Sequence, residues 1–172
     1  IDAKGLLATA INDPNPVLYF EHKALYRSIR QEVPIDYYTI PFGKASLVKE
    51  GNDITVVSYG AAVHWALDTL GKYPEINADL LDLRTLCPLD TEAILKSVKK
   101  TGKVIILPEA SLFGRIASDI SALISENCFE YLDAPIKRVG SIETPIPFAK
   151  NLEQLFLPKS KLYAEILNVL EY

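Results

Sequence analysis

The chain has 172 residues, of which 49% are hydrophobic and 23% charged, and its formal net charge is −4. That length and balance suit one globular domain with something left over, large enough to bury a proper core. No basic cluster of five or more residues occurs, which argues against nucleic acid and anionic membrane partners, and no apolar run approaches the ~20 residues of a bilayer span.

Two cysteines, Cys87 and Cys128, make no disulfide framework; both have apolar sequence neighbours and read as buried thiols of a reducing compartment, the cytoplasm. The start carries Asp2 and Lys4 without a basic leader or a continuous apolar stretch, so no signal peptide is expected. The chain begins at Ile1 and contains no methionine, which leads us to expect a piece of a longer product.

In chain order, Asp2 to Asn12 has Leu6, Leu7, Ala10 and Ile11 at helical spacing, with Asp2 placed to cap. Asp13-Pro14-Asn15-Pro16 is a dense turn signal, and Val17 to Phe20 reads as a buried strand of a parallel sheet whose remainder is missing. Glu21 to Gly43 is aromatic, charged and without a steady period; it is too apolar for a disordered linker and predicts an ordered connector along a surface. Lys44 to Lys49 suits a short edge strand.

Ile54 to Tyr59 is the clearest strand, β-branched and apolar, and Gly60 permits the turn after it. A helix is expected over Ala61 to Leu70, stopped by Gly71. The stretch Ala78 to Asp90 reads as a strand through Leu80, Leu81 and Leu83, then a turn, then the Asp90 cap of a helix over Thr91 to Lys100 that Gly102 stops. Lys103 to Leu107 predicts another strand, Ile116 to Asn127 a helix, Ile136 to Val139 a strand, and Lys159 to Leu170 a closing helix. This alternation predicts an α/β fold of three layers, a mostly parallel sheet with helices on both faces, and a domain boundary near Gly43.

The residues that carry chemistry are few. Ser58-Tyr59-Gly60-Ala61-Ala62 follows a strand and opens a helix, yet it has one glycine and no P-loop lysine, so a plain tight turn competes with a phosphate site. The loop Glu109 to Arg115 is the better anion candidate, since Arg115 adds positive charge at a helix start. His64 and Glu109 stand at strand ends, where ligands of α/β sheets gather; His22 lies in the connector. Asp82 and Arg84 read as a structural pair. Asn12-Asp13-Pro14-Asn15 gathers oxygen ligands that could hold a cation, although these are also ordinary turn residues.

The segments DAKGLLATAINDPNPVLYFEHKALYR, EVP, GNDITVVSYGAAVHWAL, DLRTLCPLD, KSVKKTGKVIILPEA and YLDAPIKRVGSIETPIPFA resemble the beta subunit of 2-oxo acid dehydrogenases. This is the thiamine diphosphate-dependent decarboxylating component of the pyruvate and branched-chain complexes. The resemblance covers essentially the whole chain. It implies that residues 1–21 end the pyrimidine-binding domain, 22–43 are a connector, and 44–172 form a transketolase C-terminal domain.

It further implies that the catalytic glutamate and histidine lie before Ile1, and that the diphosphate and magnesium sit on the alpha subunit or alpha-like domain. This chain would then carry no catalytic or cofactor-binding residue. The implied role is subunit association, including a homo-oligomer, and docking of the dihydrolipoyl acyltransferase binding domain. Branched-chain members hold potassium near the segment matching Ala10 to Asn15, so Ala10, Asp13 and Asn15 become a partial potassium site.

The sequence departs from the family at Pro108, where a histidine usually precedes Glu109 and Ala110, and at Phe113-Gly114-Arg115 in place of Thr-Gly-Gly. His64 matches a common family histidine, implying a place at an interface or channel. The alternatives are a free-standing assembly or docking module and another transketolase-like enzyme, such as a deoxyxylulose phosphate synthase.

Overall fold

The computed structural model describes residues 1–172. Its centre is a five-stranded sheet of order β1-β3-β2-β4-β5, with β1 at Ser46–Lys49, β2 at Ile54–Ser58, β3 at Ala78–Asp82, β4 at Val104–Leu107 and β5 at Lys137–Arg138. The pairs β2–β3, β2–β4 and β4–β5 are parallel, and only edge strand β1 runs antiparallel, on β3.

The central strands are apolar on both faces because helices cover both. Along β2, Ile54 and Val56 face one core while Val57 faces the other, and Leu80/Leu81 and Ile105/Ile106 divide in the same way. The first core packs against α2 (Ala61–Lys72) and α6 (Leu162–Leu170) through Ala62, Ala66, Leu70, Leu162 and Ile166. The second packs against α3 (Thr91–Thr101) and α4 (Ile116–Cys128) through Ile94, Val98, Ile120 and Ile124. Each fully buried Ile or Leu contributes on the order of 1.5–3 kcal/mol from leaving water.

Beneath the sheet lies one buried polar knot. The carboxylate of Asp79, 2% exposed, accepts from the Gly51 backbone N–H at 2.8 Å, Ser97 Oγ at 2.6 Å and Lys100 Nζ at 2.7 Å. Thr55 Oγ1 lies 2.8 Å from both Ser97 Oγ and Thr101 Oγ1, which ties β2 to α3. Every buried oxygen in the knot has a partner, so the charge is tolerated in the interior.

Several local expectations change. Val17 to Phe20 forms no strand: its backbone pairs with no neighbour, and Leu18 and Phe20 are 85% and 88% exposed. α2 runs through Gly71 to Lys72, because a single glycine in the last turn does not by itself end a helix. The last strand is only two residues long. The closing helix begins at Leu162, preceded by the 3₁₀ turn Pro158–Ser160 and by a short helix, α5 (Lys150–Phe156), that the prolines obscured.

α1 (Asp2–Asn12) has no side-chain cap. Asp2 reaches instead across to Arg84, with Nε and Nη2 at 2.8 and 2.9 Å from its two oxygens. Arg84 is therefore not the ion partner of Asp82; the Asp82 carboxylate accepts only the Arg84 backbone N–H, at 2.9 Å. Lys4 donates to the carbonyls of Ile35 and Asp36 at 3.0 and 2.8 Å, which lays the connector along α1. Cys128 is buried as expected, but Cys87 is exposed, since the turn between β3 and α3 carries it out of the core.

Candidate functional site

The strand order creates a switch point. From β2 the chain leaves through α2 towards β3, and from the adjacent β4 it leaves through α4 towards β5, so the two connections diverge onto opposite faces. A crevice opens where such neighbours part, at the carboxyl ends of the strands. Tyr59 follows β2 and Glu109 follows β4, and both line a cleft of about 450 Å³ there, together with Arg115, Glu153, Ile146 and Phe156.

Local structure fixes this cleft. Gly60 turns the chain with φ 61°, a left-handed conformation that suits glycine, and starts α2 directly. The loop after β4 is pinned by Ser141, whose hydroxyl donates to the Glu109 carbonyl at 2.5 Å and whose N–H donates to the Ala110 carbonyl at 3.1 Å. Arg138 Nη1 donates to Ser118 Oγ at 2.7 Å and steadies the first turn of α4.

The connector contributes the least anticipated group. His22 Nε2 lies 3.1 and 3.3 Å from the two carboxylate oxygens of Glu109, although the residues are 87 apart in sequence. Its Nδ1 is buried and has no partner. A buried ring nitrogen left without a partner costs on the order of 1–3 kcal/mol. The Tyr59 phenol is pushed above its ordinary value, first by burial and then by the Glu109 charge, with Arg115 opposing.

Of the residues singled out from sequence, Glu109 and Arg115 meet in this cleft, with His22 held at Glu109. His64, in the first turn of α2, is half-buried and does not line the cleft. Neither the His22–Glu109 contact nor the part played by Glu153 was legible, because sequence does not report which distant loops meet.

The turn after α1 is compact. Asp13 Oδ1 accepts from Asn15 N at 2.9 Å and Asn15 Nδ2 at 3.0 Å. The Ala10 carbonyl has no helical donor, because the residue four positions on is Pro14, which has no N–H. The oxygens left at this turn are that carbonyl, the second Asp13 carboxylate oxygen and the Asn15 amide oxygen. No three His, Cys, Asp or Glu side chains converge in the structure.

The family model described as "Transketolase, C-terminal domain" matches residues 43–161. The chain is 48% identical over 159 residues to the 2-oxoisovalerate dehydrogenase subunit beta of Bacillus subtilis (strain 168), covering 91% of this chain and 49% of that protein. It is likewise 48% identical over 159 residues to the acetoin:2,6-dichlorophenolindophenol oxidoreductase subunit beta of the same organism, covering 91% of this chain and 46% of that one. A third relative there, the pyruvate dehydrogenase E1 component subunit beta, is 44% identical over 162 residues, covering 93% and 50%.

The chain thus spans about half the length of these curated relatives. A solved structure titled "Split gene transketolase, inactive beta4 tetramer" superposes with a TM-score of 0.66 at 25% identity, covering 83% of this chain and 46% of that one. With the mostly parallel sheet, its switch-point crevice and a family match over most of its length, this chain belongs to the transketolase C-terminal domain family.

Proposed function

We propose that the chain is the C-terminal part of the beta subunit of a thiamine diphosphate-dependent 2-oxo acid dehydrogenase. The carrying observation is the 48% identity to a 2-oxoisovalerate dehydrogenase beta subunit across 91% of the chain. The whole enzyme would decarboxylate a 2-oxo acid and pass the acyl group to a lipoyl arm. When bound, thiamine diphosphate supplies the carbanion chemistry, and we place its diphosphate and magnesium on an alpha partner.

In this reading residues 1–21 close the pyrimidine-binding domain, 22–43 connect, and 44–172 associate with alpha and beta partners and dock the acyltransferase. The exposed Leu18 and Phe20, on backbone without a strand partner, support the first assignment. Phe148, Leu152 and Leu155, all exposed around α5, support an associating face. Potassium at Ala10, Asp13 and Asn15 would be weak, because the chain shows only these three donors. The expected cytoplasmic location belongs to the same proposal; no helix is long and apolar enough to cross a membrane.

The test is reconstitution. The chain alone, given thiamine diphosphate and pyruvate or 2-oxoisovalerate, should release no carbon dioxide. Fused behind the upstream half of the Bacillus 2-oxoisovalerate subunit and mixed with the matching alpha subunit, it should restore turnover. Decarboxylation by the chain alone, or a correctly folded fusion that fails to assemble, would overturn the assignment. The acetoin relative has equal identity, so acetoin with dichlorophenolindophenol is the second substrate to assay.

A further inference from the structure

Opposite charges stand on the walls of the switch-point cleft without meeting each other. Arg115, at the start of α4, and Glu153, in the first turn of α5, both line it. The ion pairs made by Lys and Arg are Arg84–Asp2, Lys100–Asp79, Lys137–Glu165 and Lys159–Asp68, and neither Arg115 nor Glu153 takes part in any of them. Both side chains are exposed and free to turn to a ligand. Between them the cleft offers the Tyr59 phenol and an apolar wall that includes Ile146 and Phe156. Glu109 is already engaged by His22 at 3.1 Å.

We propose that this cleft binds a small zwitterion with an aliphatic tail, an α-amino acid of leucine type, its carboxylate on Arg115 and its ammonium on Glu153. A simple carboxylate would satisfy Arg115 but face an unpaired Glu153; a simple amine would face Arg115. A zwitterion satisfies both walls at once, and its tail covers Ile146 and Phe156. The volume of about 450 Å³ lies within the range of roughly 300–1,000 Å³ usual for small-molecule clefts, and the switch point of a parallel sheet is where such clefts form.

Calorimetric titration of the 172-residue chain tests it with four probes besides L-leucine. These are glycine, which lacks the tail; 4-methylpentanoate, which lacks the ammonium; isoamylamine, which lacks the carboxylate; and inorganic phosphate. Leucine should bind saturably, and each probe at least about tenfold more weakly, the ratio that ~1.4 kcal/mol of lost interaction produces. Arg115→Gln and Glu153→Gln should each weaken leucine by about the same factor. Both residues are exposed, so the variants should keep the parent circular dichroism spectrum.

Absence of saturable heat with leucine overturns the proposal. So does phosphate binding as tightly as leucine, which would make the cleft a plain anion site. Parent-like affinity in both folded variants would also overturn it, by showing that leucine binds elsewhere.

Discussion

Single residues differ in what their burial costs them. The Asp79 carboxylate is buried and fully partnered, so removing it strands the Gly51 N–H and the Lys100 ammonium. Asp79→Ala should therefore cost about 3 kcal/mol, the lower end for breaking a buried ion pair, read as a lower midpoint in urea unfolding. Asp82 behaves in the opposite sense. Its carboxyl is raised above the ordinary value first by burial, with the Arg84 N–H bond opposing and Asp2 adding to the rise.

A carboxylate whose folded pKa is raised burdens the fold at neutral pH, and the burden lifts as pH falls through that raised pKa towards the unfolded value. Asp82→Asn keeps an oxygen for the Arg84 N–H, so it should raise the melting temperature at pH 7, with a gain that shrinks on acidification. Glu165 has the other sign: its contact with Lys137 lowers its pKa. Its contribution is present above the unfolded pKa and lost as pH falls through the folded one. The two cysteines divide in the same way. Cys87 is exposed, whereas burial raises the Cys128 thiol despite Lys99. One thiol should react promptly with a disulfide reagent in the native chain, and the second only on unfolding.

At the scale of elements, α3 is the clearest case of local sequence and tertiary packing agreeing. Asp90 Oδ1 accepts from the Ala93 N–H at 3.1 Å, as a cap should, while Oδ2 accepts from the Ala45 N–H at 2.9 Å ahead of β1. The cap thus also fastens the edge strand. Asp90→Ala should cost about 2 kcal/mol, the upper end for lost caps, and should expose the β1 amides to hydrogen exchange. At its other end Gly102 has φ 68°, and a Cβ there would run into the Asp133 carboxylate. Asp90 and Gly102 were both readable from sequence. The Ala45 contact was not, because it joins residues 45 apart.

Across the whole molecule, the N-terminal segment is tied to the carboxyl edge of the sheet by two side-chain contacts, the Asp2–Arg84 ion pair after β3 and the His22–Glu109 hydrogen bond after β4. Both are partly exposed, so each contributes at most about 1 kcal/mol. Arg84→Ala should barely move the melting temperature, yet it should speed amide exchange in α1 relative to the domain. Equal protection in parent and variant would show that the Gly5–Ile40 backbone bond and the packing of Tyr38 and Ile40 hold α1 without the ion pair.

The chain's own residue pattern determined the alternation of strands and helices, the parallel α/β class and the capped helix after Asp90, because each of these rests on periodicity and on neighbours within a few positions. The motifs also carried the family resemblance. Tertiary structure alone decided that Val17 to Phe20 stays unpaired, that Arg84 turns to Asp2 rather than Asp82, and that Cys87 faces water. It also brought His22 to Glu109, and Arg115 and Glu153 to one cleft. A strand needs a partner and a charge needs a counter-charge, and which distant segment supplies either is set by how the layers stack.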